Sequence, residues 1–181
     1  MRILVTGPQG CGKSTQAVLL AQDLGVSYIQ LGEIFRTIAL IEDSQEAAQV
    51  RKSLEAGEFV PPQLTAKIIE KRLAQSDCEK GFVLDGFPRN LTDIANFGQK
   101  LDIVFYLKIS DEEGVKRLLA RARPDDTKEL IEQRLKKYHQ ETEPILQTFR
   151  EQGILVEINA EQPIDQIHAD ILSRVKVNDI H

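Results

Sequence analysis

The 181-residue chain has little cysteine: Cys11 and Cys78 are its only two. Two thiols cannot build a disulfide framework or a four-sulfur zinc site, and both are expected to be reduced. Excess positive charge is missing too. Lys and Arg total 23 against 28 Asp and Glu, a net charge of −5, whereas a dedicated nucleic-acid binder usually carries the opposite sign. Any polyanionic ligand must therefore be held by local Arg and Lys. Near the start the apolar run Ile3-Leu4-Val5 is too short for a secretory signal or a membrane span. Repeats, low-complexity stretches and linkers are also missing. With 41% apolar and 28% charged residues, the composition predicts one globular domain over residues 1–181, in a cytoplasmic setting and without a membrane partner.

What is present is an alternation of short apolar runs with longer helical patterns, the mark of a parallel sheet covered by helices on both faces. Ile3 to Thr6 reads as a buried strand ending at Gly7. Ala17, Leu20, Ala21 and Leu24 then recur at helical spacing until Gly25 stops the helix. Tyr28 to Gln30 is a short strand. Residues 32–58 carry two helical patterns and no strand, an all-helical insertion. Pro61-Pro62 opens a helix burying Leu64, Ile68, Ile69 and Leu73. Phe82 to Asp85 and Asp102 to Ile109 are further strands, and Ser110 with Glu113 has capping-box spacing. Arg121 to Asp126 is a charged break. A long helix is expected from about Thr127 to Glu151, interrupted near Pro144. A last strand at Ile154 to Ile158 and a helix from Pro163 follow, with Lys176 to His181 expected to fray. The fold class is α/β: a doubly wound parallel sheet of about five strands.

Gly7-Pro8-Gln9-Gly10-Cys11-Gly12-Lys13-Ser14 fits the phosphate-binding loop, and it stands between a strand and a helix as that motif requires. Its glycines let backbone N–H groups turn inward around phosphate oxygens, and the helix N-terminus adds positive potential. Lys13 would reach the β- and γ-phosphates, and Ser14 would ligate magnesium. Asp85, at the carboxyl end of a strand, is placed to hold magnesium through water. Its plainer reading is an Asp capping the next turn. Cys11 sits among the loop amides, where a thiolate would be stabilised; the alternative is a small tolerated side chain.

Gly81-Phe82-Val83-Leu84-Asp85-Gly86-Phe87-Pro88-Arg89 strongly resembles the signature of the adenylate kinase family of nucleoside monophosphate kinases, and the resemblance extends over nearly the whole chain. Gly32-Glu33-Ile34-Phe35-Arg36 looks like the family's acceptor-site helix, and Gly57-Glu58-Phe59-Val60-Pro61 like the segment closing over the acceptor base. Arg117, Arg121, Arg123 and Arg134 match its later arginines, and Asn159-Ala160-Glu161-Gln162-Pro163 its donor-adenine loop. Tyr138-His139 and Thr142 to Ile145 also follow family pattern, although nothing requires His139 as an acid or base.

The resemblance implies reversible transfer from MgATP to a monophosphate, AMP first. Lys13, Asp85, Arg89, Arg123 and Arg134 would be catalytic. Gly7, Gly10, Cys11, Gly12, Lys13, Ser14, Thr15, Arg117, Arg121 and Gln162 would bind ATP. Leu31, Gly32, Arg36, Glu58, Val60, Gly86, Arg89, Asp93, Arg123 and Arg134 would bind the monophosphate. Guanidinium forks suit two nucleotides, with four or more phosphates in total, lying head to head. Arg117 and Arg121, four apart on one helix face, could point at one cleft, with Arg117 stacking on the donor adenine. Residues 31–60 would form the acceptor insertion and 121–126 a minimal lid, too short for a zinc-bearing one. A monomer is expected, with magnesium accompanying ATP and no structural zinc.

Three features depart from the family pattern. Ser14 follows Lys13 where a glycine is usual. The tip between Arg121 and Asp126 is very short. Leu31 and Asp93 replace the Thr and Gln of adenine-specific members, which leaves GMP, UMP and CMP open as acceptors. A small-metabolite kinase on the same core, or a nucleotide-binding regulator without turnover, are the rival readings; the first leaves Arg36 and Gly86 to Arg89 unexplained, the second the intact Lys13 and Asp85.

Overall fold

Period-two alternation sends neighbouring residues of each apolar run to opposite faces, and the chain uses this to build a sheet buried on both sides. The computed structural model describes residues 1–56, 58–122 and 126–178, with side-chain surroundings described through Val175. The strands are β1 (Arg2–Thr6), β2 (Ser27–Gln30), β3 (Phe82–Asp85), β4 (Ile103–Lys108) and β5 (Leu155–Asn159). They form one parallel sheet in the order β2-β3-β1-β4-β5. The helices are α1 (Lys13–Leu24), α2 (Leu31–Ile41), α3 (Gln45–Glu55), α4 (Pro62–Leu73), α5 (Leu91–Asn96), α6 (Asp111–Arg121), α7 (Lys128–Lys137), α8 (Ile145–Glu151) and α9 (Ile164–Asn178).

Leu4, Ile29, Leu84 and Val104 face one way and pack with Phe35, Val50, Ile69 and Phe149. Ile3, Val5, Val83, Phe105 and Leu107 face the other way, against Ala17 and Leu20 of α1 and Ile167 and Ile171 of α9. Each fully buried side chain of this size contributes about 1.5–3 kcal/mol. Chain order explains where a ligand belongs. The connection from β1 runs toward β2 and that from β3 toward β4, so the loops at their carboxyl ends part and leave a crevice.

Several local details differ from expectation. Ser110 caps α6 by accepting the Glu113 N–H at 3.4 Å, but Glu113 does not reach back. Its carboxylate is taken by Arg117 at 2.9 Å and Lys116 at 3.3 Å. Glu161 instead accepts from the Ser110 N–H and hydroxyl, at 2.8 and 2.6 Å, tying α6 to the turn before α9. The long helix after Thr127 is two helices joined by a π turn at Tyr138–Thr142. The Glu143 N–H bonds to Tyr138 O at 2.9 Å, and Pro144, which has no N–H to give, lets α8 start afresh. The last helix continues through Asn178, into the stretch expected to fray. Among the described residues no helix is long and apolar enough to cross a membrane.

Candidate active site

The loop from β1 into α1 is shaped by close approach. Gly10 has φ +85, and a Cβ there would lie 2.5 Å from the Gly114 carbonyl oxygen. A Cβ on Gly114 would in turn meet the Gln9 carbonyl at 2.9 Å. The loop therefore rests directly on the backbone of α6, and Gly114 is a part of the site that the motif did not reveal. Lys13 folds over the loop and donates to the Pro8 carbonyl at 3.2 Å.

Behind the loop, Asp85 is 2% exposed and its Oδ2 collects donors. Ser14 Oγ donates at 2.5 Å, the Tyr28 hydroxyl at 3.1 Å and Gln30 Nε2 at 3.3 Å. Burial first, then the Asp85 charge, pushes the Tyr28 phenol well above its ordinary pKa, so it stays a donor. Tyr28 and Gln30 reach Asp85 because parallel pairing sets Gln30 opposite it and period-two alternation puts Tyr28 on the same face. Ser14 and Asp85 are hard oxygen donors held together at the crevice, a set that suits magnesium.

Two cavities flank Arg89. The larger, about 460 Å³, is bounded by Gly7, Gln9 and Lys13 of the loop, by Gly86 and Arg89, and by Arg134, Lys137 and Thr142. The smaller, about 190 Å³, is bounded by Leu31, Gly32 and Arg36 on α2, by Val60, and by Asp93 on α5. Leu54, Glu58, Phe59 and Arg89 line both. Arg89 is fixed by its Nε donating to the Gly86 carbonyl at 2.7 Å. Burial lowers its pKa, and the charges of Asp85 and Asp93 oppose that. Asp93 is 5% exposed, with its Oδ2 accepting the Arg89 backbone N–H at 2.8 Å. Burial raises its pKa despite that bond.

Other expected residues stand elsewhere. Arg117 bonds Glu113, and Arg121 places both of its donors on Asp126, at 2.8 and 2.7 Å. Arg134 Nη1 lies 3.9 Å from the same buried carboxylate. Arg117 and Arg121 thus share a face, as their spacing implied, but line neither cavity. Gln162 Nε2 bonds the Asn159 carbonyl and Asp170, and Thr15 is exposed at the start of α1. Gly57 and Arg123, and with Arg123 half of the 121–126 tip, lie outside the described residues. Of the two readings of Cys11, the small tolerated side chain holds and the stabilised thiolate does not. Its side chain is fully buried in the α1 face of the core, and loss of solvent raises its pKa more than Lys13 lowers it. Cys78 packs on the opposite face of the sheet. Among the described residues no group of three or more His, Cys, Asp or Glu could hold a metal ion.

A glycine-rich loop leading into α1, a buried strand-end carboxylate beside its Ser, and arginines around two joined cavities define a P-loop nucleotide kinase. Comparison with known proteins names the family. The adenylate kinase family model matches residues 5–154. The chain is 38% identical to the adenylate kinase of Pseudarthrobacter chlorophenolicus, over 97% of this chain and 96% of the relative. It is 37% identical to that of Mycolicibacterium smegmatis, over 96% and 98%, and 37% identical to adenylate kinase 1 of Synechocystis, over 96% of each. The chain belongs to the adenylate kinase family and is a phosphotransferase.

Proposed function

We propose that the protein moves the γ-phosphoryl group of MgATP to AMP and back, with two ADP as product. One observation carries this reading: Arg89 lines both cavities, so a monophosphate in the smaller one meets a guanidinium shared with the cavity holding Lys13. Lys13 and the loop amides hold the donor phosphates. Arg36 and Arg89 hold the acceptor phosphate, while Arg134 and Arg123 neutralise the group in transit. Ser14 and Asp85 would hold magnesium, which supplies charge neutralisation to the donor phosphates. The acceptor phosphate is already an anionic nucleophile, so no side chain need take a proton. Catalysis is positioning and electrostatics.

Residues 31–60 act as the acceptor-binding insertion and 121–126 as a minimal lid, on a protein working as a cytoplasmic monomer with small-molecule substrates. One observation favours a second acceptor. Asp93 brings a carboxylate to the smaller cavity, and an ionised carboxylate only accepts hydrogen bonds. Guanine, with N–H donors at N1 and N2, and uracil, with one at N3, suit it better than the bare N1 of adenine. A coupled assay with ATP and AMP, GMP, UMP or CMP tests both readings. AMP is expected to give the highest kcat/KM; no turnover with any monophosphate would end the kinase reading.

A further inference from the structure

Phe59 stands at the junction of the two cavities and lines both. It belongs to the 31–60 insertion, just after α3, and Val60 beside it is buried. Two cations from outside the insertion approach its ring. Lys137 Nζ lies 3.6 Å from the ring centroid, and the Arg89 guanidinium carbon 5.5 Å. An ammonium that close is in contact with the negative face of the ring. Lys137 is the last residue of α7, and among the described residues no carboxylate forms an ion pair with it. Its charge rests on Phe59, and the contact joins the insertion to α7 at the wall of the larger cavity.

We propose that this contact is a clasp that holds the acceptor-binding insertion in register with the phosphate cavity, making Lys137 a positioning residue for monophosphate binding. The kinetic part of this inference rests on the kinase reading above; the contact itself does not. A cation on a ring suits an insertion expected to move as the monophosphate enters and leaves. The ammonium can slide over the face without losing a directional bond, and partial exposure keeps the contact weak enough to release. Through the same ring, Lys137 bears on Arg89, which lines both cavities.

The test compares Lys137→Met, Lys137→Arg, Phe59→Leu and the double variant Lys137→Met with Phe59→Leu. Lys137→Met should raise KM for AMP by roughly two- to fivefold, the scale of a partly exposed cation–π contact, and by more than it changes kcat or KM for ATP. Lys137→Arg, which keeps a cation able to lie on the ring, should restore KM. The double variant should be no worse than the poorer single one, because both remove one contact. Amide exchange of the free protein gives a readout without substrate. The α2–α3 amides should exchange a few-fold faster in Lys137→Met and at the wild-type rate in Lys137→Arg. An unchanged KM for AMP in Lys137→Met, additive single effects, or exchange identical in Lys137→Met and wild type would each overturn the clasp. If wild type turns over no monophosphate, the kinase reading fails while the exchange result still decides the contact.

Discussion

The Asp93 carboxylate accepts the backbone N–H of Arg89 at 2.8 Å, so one side chain both lines the acceptor cavity and fixes the main chain of the residue that borders both cavities. On the function proposed above, base reading and phosphate binding would be joined through this one buried carboxylate. Two substitutions separate these roles. Asp93→Ala leaves the Arg89 N–H without its acceptor in a half-buried setting, which should cost about 1 kcal/mol and lower Tm by a few degrees. Asp93→Gln with Leu31→Thr supplies a donor for adenine N1 and a hydroxyl on the facing wall. It should raise kcat/KM for AMP by roughly one to two orders of magnitude. An unchanged ranking of AMP, GMP, UMP and CMP in the double variant would show that neither residue reads the base.

Lys13→Met should keep the fold and lower kcat by orders of magnitude, because a cation is lost where charge concentrates in the transition state. Circular dichroism reports the first and steady-state kinetics the second. A near-normal kcat would contradict the assignment of Lys13.

His139 gives the protein a pH signature. Its Nδ1 lies 2.7 Å from Glu143 and its Nε2 3.0 Å from Asp111, joining the π turn to the start of α6. Glu143 first, then Asp111, raise its pKa above the ordinary 6.5. The folded state then holds the proton more tightly than the unfolded chain does. The resulting stabilisation is complete below about pH 6.5 and is lost as pH rises through the folded pKa. His139→Gln should therefore lower Tm more at pH 5.5 than at pH 9. A deficit equal at both pH values would count against the carboxylate clamp.

Cys11 should behave as core, not as a reactive thiol. A raised pKa and full burial predict that iodoacetamide at neutral pH leaves it unmodified in the folded protein and labels it in denaturant. Rapid labelling of the folded protein, located by peptide mapping, would contradict this.

With so short a tip between Arg121 and Asp126, water exclusion should be poorer than under a long lid. ATP hydrolysis without acceptor should exceed that of a long-lid relative measured alongside. A bisubstrate analogue should increase amide protection in the 31–60 insertion; unchanged protection there would argue against closure.

How much of this was legible in the sequence depended on how local each cause was. The Gly7 to Ser14 loop needs only its own residues and the strand and helix beside it. The strands and the two-helix insertion follow from apolar period alone. Tyr28 and Gln30 could not be seen as partners of Asp85, because parallel register, not proximity along the chain, brings them together. The spacing of Arg117 and Arg121 did predict a shared helix face. It could not show that Glu113 and Asp126 engage them there. The glycines around Cys11 suggested an open nest of amides, yet its side chain turns into the core. The contact of Phe59 with Lys137 joins the insertion to a distant helix, and no local pattern encodes it.

The central claim is phosphoryl transfer between two nucleotides that meet at Arg89. Phosphorus NMR of equimolar MgATP and AMP with the wild-type protein tests it most directly. The account predicts that the ATP and AMP signals fall at equal rates while two ADP appear for each ATP consumed, with little inorganic phosphate. Loss of ATP to ADP and inorganic phosphate, with the AMP signal untouched, would contradict it.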